Sequence, residues 1–198
     1  MCNFKSAVVT RNGKFLHNAF LDSHEDIVDL FNLHDNGIDN FVRVEFIPRG
    51  KFWEIDNYKF RIDENEVPSW WAKELEEKTV QNLRKIIKNM IISGERKILV
   101  GGKYILYNAK INKIANCVIQ TMDNSQVNKM WSNSQVNKMW GNSQVNKMWG
   151  NSQVNEMWSN SQVNEMWGNS QVNKMFDKSQ VNEMFDKSRI VVDKSIKK

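Results

Sequence analysis

Asp22, Ser23 and His24 are the residue types of a nucleophile, its base and an orienting carboxylate, the set that performs acyl transfer. Their spacing argues for something simpler. Three consecutive side chains project in different directions, whereas Ser23 with Asp26 three residues on fits a helix start, the hydroxyl capping a free N–H. His17 and His34 stand alone, and the three histidines with Cys2 and Cys117 make neither a zinc spacing nor a disulfide framework. No metal and no cofactor is expected. Gly101-Gly102 lacks the phosphate-loop pattern and reads as a turn. Arg43, Arg49, Arg61 and His24 are the groups in the first hundred residues with which a phosphate-bearing ligand could be held. The other chemistry-bearing residues are aromatic. Trp131, Trp140, Trp149, Trp158, Trp167, Phe176 and Phe185 recur every ninth residue, close to lysines. Such rings can stack on bases, form a protein interface, or stabilise one another.

The element that positions them is a repeat. From Asn124 to Asp186 seven near-identical nine-residue units follow one another, beginning NSQVNKMWS and ending KSQVNEMFD. A fixed short period marks units that stack on neighbours. The fourth position is always Val and the seventh always Met. Two degenerate eight-residue units, Asn108–Ala115 and Asn116–Asp123, keep these positions apolar and the second position small. The eighth position accepts Trp, Phe, Ala115 and Asp123, so it faces outward. Ser, Val and Met therefore point inward, the Asn after Val turns one corner, and the ninth and next first positions turn another. Two units closing one coil give a parallel β-solenoid; three units per coil is the alternative. In two-unit coils Trp131, Trp149, Trp167 and Phe185 line one face and Trp140, Trp158 and Phe176 the other. The asparagines stack into amide ladders. The charges of the sixth position stack as Lys129, Lys147, Glu165, Glu183 on one face and Lys138, Glu156, Lys174 on the other. The exposed ends of such a stack need covering. The N-terminal domain is expected over the first end and the polar KSRIVVDKSIKK segment over the last.

Residues 1–97 read as a separate α+β domain, and 98–198 as the solenoid: degenerate units over 101–123, clear repeats over 124–186 and a cap over 187–198. FKSAVVT and KFLHNAF flank Asn12-Gly13, the pattern of a type I′ hairpin. DSHEDIVDLFNL follows as a short helix with Ile27, Leu30 and Phe31 on one face, ended by His34-Asp35-Asn36-Gly37. FVRVEFIP places Val42, Val44 and Phe46 inward and Arg43 and Glu45 outward. Tyr58, Phe60 and Ile62 alternate in the next strand. Ser69 opens a long helix with a stripe through Trp71, Leu75, Val80, Leu83, Ile87 and Met90, a Glu74–Lys78 pair, and Gly94 as its stop. The order is β-β-α-β-β-α, an antiparallel sheet with the long helix packed on it.

Charge is uneven: residues 1–100 hold 15 Lys/Arg against 16 Asp/Glu, while 101–198 hold 13 against 7. The repeat half is mildly basic, which weakly favours anionic partners and makes imitation of DNA unlikely. No stretch reaches the roughly 18 apolar residues of a membrane span. The N-terminal residues lack the apolar core of a signal peptide, so a cytoplasmic protein is expected. The Asp-rich calcium-binding nonapeptide pattern is absent.

FKSAVV (4–9), DSH (22–24), FVRVEF (41–46), IDNYKFRID (55–63), VPSWW (67–71) and the NSQVNxMWG units together resemble a family of uncharacterised bacteriophage and prophage proteins, over nearly the whole chain. The family has no activity to transfer to particular residues. The resemblance implies a phage setting and action in the bacterial host cytoplasm. By analogy with phage accessory proteins, it also implies a role in countering host defence. The expectation is a non-enzymatic binding protein whose solenoid self-associates or binds a host protein. A nucleotide-sequestering sponge, or a small enzyme domain with an oligomerising tail, are the alternatives.

Overall fold

A computed structural model describes residues 5–34 and 40–196. Cys2, Phe4 and Asp35-Asn36-Gly37 lie outside the described residues. The chain divides into two compact units, residues 1–89 and 90–198.

In the first unit, β1 (Lys5–Thr10), β2 (Phe15–Leu16), α1 (His24–Leu30), β3 (Phe41–Pro48), β4 (Tyr58–Ile62) and α2 (Lys73–Met90) follow in the expected order. The strands form an antiparallel sheet, β2-β1-β3-β4. The hairpin at Asn12-Gly13 differs in type. Gly13 alone is left-handed, with φ 77°, and its N–H donates to Thr10 O at 2.8 Å while Thr10 N–H donates to Lys14 O. A three-residue loop needs one positive φ where type I′ needs two.

Helix α1 is capped by Ser23, whose Oγ accepts from Asp26 N–H at 3.3 Å. The helix ends earlier than expected, in a Schellman turn. Asn32 takes φ 51°, Leu33 N–H donates to Val28 O, and Asn32 N–H donates to Asp29 O. Its inward side is His24 and Ile27; Leu30 and Phe31 are exposed. With only two turns, the inward stripe is fixed by Ile27 packing with Val8, Leu16 and Phe41. Because α1 covers the face of β3 that carries Phe41 and Glu45, that strand is buried on both sides. Helix α2 begins at Lys73 rather than after Ser69, and the i,i+4 ion pair on it joins Lys73 to Glu77 at 4.0 Å, in place of the expected Glu74–Lys78. It buries Thr79, Leu83 and Ile87, and sets the Arg84 guanidinium 5.7 Å from the Phe46 ring of β3.

The second unit is a parallel β-solenoid of about six turns, from residue 91 to 195. Its first strand, β5 (Ile91–Val100), begins directly after α2, so Gly94 with φ 70° bends a strand and does not stop a helix, and the solenoid starts before residue 98. The alternating β-branched run Ile91–Ile92 and Ile98–Val100 wins over helical continuation because its backbone pairs with β6 (Lys103–Ala115). The remaining strands are β7 (Val118–Asp123), β8 (Gln126–Trp131), β9 (Gln135–Trp140), β10 (Gln144–Met148), β11 (Gln153–Met157), β12 (Gln162–Met166), β13 (Gln171–Asp177), β14 (Gln180–Met184) and β15 (Arg189–Ser195). Strands two apart in sequence pair in register, Val127 with Val145 and Val145 with Val163, so two units close one coil. The offset is 16 residues from Lys110 to Gln126, 17 from Val118 to Gln135, and 18 thereafter. The eight-residue units account for the short early coils.

Valine and methionine of the first six clear units are buried, from Val127 and Met130 to Val172 and Met175. Two inward residues with two between them break the strand's alternation, so each unit bends at its Asn, which is left out of the paired register in every rung. A coil thus has four sides: two carry Gln outward and two carry the sixth and eighth positions. The second corner uses left-handed backbone. Ser132, Gly141, Gly150, Ser159, Gly168, Asp177 and Asp186 all have φ between 57° and 70°. This explains why the ninth position alternates among Gly, Ser and Asp. Amide ladders run along both corners, Asn182 to Asn164 to Asn146 to Asn128 to Asn112 at one and Asn160 to Asn142 to Asn124 at another, with N···O distances of 3.0–3.4 Å.

The C-terminal segment covers only half of the stack. β15 adds a rung on β13 and puts Asp193 where other rungs have Met, giving a polar end. The other column ends at β14 with Met184 41 % exposed, and no described strand pairs its outer edge.

Candidate functional site

Three of the expected residues converge in the first unit. Glu45 of β3 lies opposite Arg61 of β4, and Asp63, held by its N–H on Arg43 O at 2.9 Å, extends the same face. α1 lays His24 onto this face. Its Nε2 lies 3.1 Å from Val44 O and its Nδ1 lies 3.3 Å from Asp63 Oδ2. A carbonyl only accepts, so Nε2 carries the proton and Nδ1 is aimed at the carboxylates. His24, Glu45 and Asp63 bring their donor atoms within 4.8 Å of one another, a donor set that suits a divalent transition ion. Arg61, however, pairs with both Glu45 and Asp63, and Arg43 Nη1 pairs with Glu64 at 3.3 Å. One guanidinium already serves both carboxylates, and the two arginines are engaged in ion pairs where a phosphate would need them free. The geometry serves as a polar clamp between α1 and the β3–β4 edge. No local spacing links Glu45 and Asp63 to His24, since the three come from separate elements; the opposition of Glu45 and Arg61 on adjacent strands is the signal the sequence carries.

Ser23 Oγ bonds Glu25 at 2.8 Å and caps the helix, so it is not poised as a nucleophile beside His24. His17 is pushed below the ordinary histidine range by burial, then by Lys5. Lys5 itself is buried on Asp22 at 2.7 Å. Burial pushes the Cys117 thiol up, and its sulfur bonds Leu99 O at 3.2 Å, which leaves it a core residue.

The second unit carries the aromatic rows as expected, on two sides of the coil. Trp131, Trp149, Trp167 and Phe185 stack at centroid distances of 5.7, 6.0 and 4.0 Å. Trp140, Trp158 and Phe176 stack at 5.6 and 4.1 Å. Trp131, Trp140 and Trp149 are 37–41 % exposed. Each ring face is taken by the next rung, so what faces solvent is a line of ring edges. A base inserted between two rings needs roughly 7 Å, two stacking distances of about 3.4 Å, and no gap reaches that. At the start of the first row, Lys113 Nζ lies 4.0 Å from the Trp131 ring centroid and takes its outer face.

Sixth and eighth positions share a side, and the indole N–H of Trp167 donates to Glu165 at 3.0 Å, that of Trp158 to Glu156 at 3.2 Å. Lys147 also reaches Glu165 at 2.8 Å. These hydrogen bonds, the lysine's first, hold the Glu165 carboxyl below the usual carboxylate range. Lys138 pairs with Glu156 at 3.4 Å on the other row. A groove of about 520 Å³ on a Gln-bearing side is lined by Arg96, Lys97, Lys110, one carboxylate, Glu95, and amides including Asn112, Gln126 and Asn128. It places three cations at the head of an amide ladder; β5 was not expected to join the solenoid, so this groove was not foreseen.

A scan against protein-family models, a search of curated proteins and a search of solved structures each return no match. No described helix is long and apolar enough to cross a membrane.

Proposed function

We propose that this is a non-enzymatic interaction protein whose solenoid self-associates through its aromatic rows. The observation that carries the reading is the pair of exposed ring-edge rows, each braced from behind by a Val/Met core and therefore rigid. Aromatic edges attract ring faces and cations, and rigid rings lose little conformational freedom on binding. A second solenoid of the same sequence repeats with the same rung spacing, so it stays in step with the row over every rung. The resemblance to phage and prophage proteins supports action in a bacterial host cytoplasm, and by analogy a role in countering host defence.

Replacing Trp131 and Trp149 together by Gln tests the reading by sedimentation. The variant is expected to keep its β-rich circular dichroism and to lose mass relative to the parent chain. An unchanged mass distribution would remove the rows from the interface. The groove of Arg96, Lys97 and Lys110 favours a second reading, a site for a nucleotide or other anion. It predicts that nucleotide raises the melting temperature of the parent but not of the Lys97→Glu, Lys110→Glu variant.

A further inference from the structure

One of the two aromatic sides has a polarity that the other lacks. On the side of β6, β8, β10, β12 and β14, the sixth-position charges run Lys113, Lys129, Lys147, Glu165, Glu183 in successive paired rungs, the last four beside Trp131, Trp149, Trp167 and Phe185 and Lys113 over the Trp131 ring. Like-charged neighbours, three lysines at one end and two glutamates at the other, raise the electrostatic energy of the single chain, since like charges on adjacent strands repel. Only the central junction is complementary, where Lys147 meets Glu165 at 2.8 Å. On the opposite side Lys138, Glu156 and Lys174 alternate in sign along the strand pairing, so each rung is complementary to its neighbour within one chain.

The geometry points to a two-fold antiparallel pairing of two copies of this chain through the side that carries Lys129, Lys147, Glu165 and Glu183. This rests on the self-association reading and adds which face is used and in which direction the copies run. With the two-fold axis between the rungs of Lys147 and Glu165, the four rungs of one copy lie on the four of the other in reverse order. Lys129 then faces the partner's Glu183, and Lys147 faces the partner's Glu165. The aromatic row matches in the same step, Trp131 against the partner's Phe185 and Trp149 against the partner's Trp167. The end repulsions of the single chain become opposite-charge contacts, and the central junction becomes a four-member cluster of two lysines and two glutamates. A two-fold contact must be self-complementary, with residue i on j and j on i, and this row satisfies that condition in one register. A parallel two-fold arrangement sets like rungs together, so no lysine of this row meets a glutamate of the partner in its own rung. The other side has no such solution about its middle rung, where reversal puts Lys138 on the partner's Lys174. Four rungs make a small interface, so the pairing is of the weak, salt-sensitive kind.

Complementary charge reversal tests this. One variant is Lys129→Glu with Lys147→Glu; the other is Glu165→Lys with Glu183→Lys. Both residue types already occur at the sixth position in neighbouring units, so both variants are expected to fold, and circular dichroism checks it. Sedimentation is run from about 1 to 100 μM, the range of weak specific pairs. Each variant alone is expected to associate at least about tenfold more weakly than the parent. An equimolar mixture is expected to recover association, as one acidic-row chain with one basic-row chain. Reversing Lys138 and Lys174 to Glu is expected to leave the parent's association unchanged. Variants that associate like the parent, or a mixture no heavier than its separate components, would overturn the antiparallel pairing while leaving self-association standing. A parent chain that never associates would remove the self-association reading and this inference with it.

Discussion

At the scale of the residue, the repeated unit is a division of labour. Ser, Val and Met face the core, and several serine hydroxyls return to the carbonyl three residues back, as Ser134 to Trp131 O at 2.7 Å. The hydroxyls of Ser143, Ser161 and Ser170 are buried without a hydrogen-bond partner, while the backbone N–H of each donates to the carbonyl three residues back. Met148 is fully buried and Met184 is 41 % exposed, although their sequence context is nearly the same. Met148→Ala is therefore expected to cost about 2–5 kcal/mol, whereas Met184→Ala costs less than about 1 kcal/mol, as read by urea unfolding. Equal costs would contradict the coil assignment. In the first unit, burial lowers the pKa of His17. The unfolded chain then binds the proton more readily than the folded one, so stability present above the unfolded value of about 6.5 falls as pH drops below it. The denaturation midpoint of the parent is expected to fall between pH 7.5 and 5.5 more than that of His17→Phe; identical slopes would contradict this. At the alkaline end, burial pushes the Tyr58 hydroxyl up to about 12, while it donates to Phe52 O at 2.8 Å. The folded state holds this proton longer than the unfolded chain, so stability declines as pH rises above about 10.

At the scale of the element, the repeat was legible because its seven units act as substitution experiments on one another. A position that is always Met is core, one that accepts Trp, Phe, Ala115 and Asp123 is outside, and the registers Ala115 with Trp131 and Asp123 with Trp140 place these residues together. Single elements gave no such comparison. The alternation of Val42, Val44 and Phe46 was readable, but the burial of Glu45 was not, because the helix covering it comes from elsewhere in the chain. Leu30 and Phe31 look like core in a helical projection, yet Asn32 turns the backbone before a third turn forms. The His24, Glu45 and Asp63 grouping joins three elements, and no local spacing encodes it. Ile91, Ile92 and Ser93 read as the last turn of a helix stopped by Gly94 until the pairing offered by β6 is known. If coils are the structural unit, removing one whole coil, residues 142–159, leaves register intact. That deletion is expected to unfold cooperatively with a β-rich spectrum and reduced stability. A disordered product would contradict two units per coil.

At the scale of the whole molecule, two units are joined by a helix that runs straight into a strand. The first is held by its own buried ion pairs and hydrogen bonds, Lys5 on Asp22 and His24 on Val44 O. The second repeats one small solution about six times. A half-covered end, with Met184 exposed beside the polar Asp193 rung, and two aromatic sides are what the solenoid offers to partners. The central claim is that the partner is another copy of the same chain. The decisive measurement is the solution mass of the 198-residue chain across concentration and salt. The mass is expected to lie above the 23.3 kDa of one chain, rising with concentration and falling as salt screens the Lys/Glu row. A mass of 23.3 kDa at every concentration and salt would contradict it.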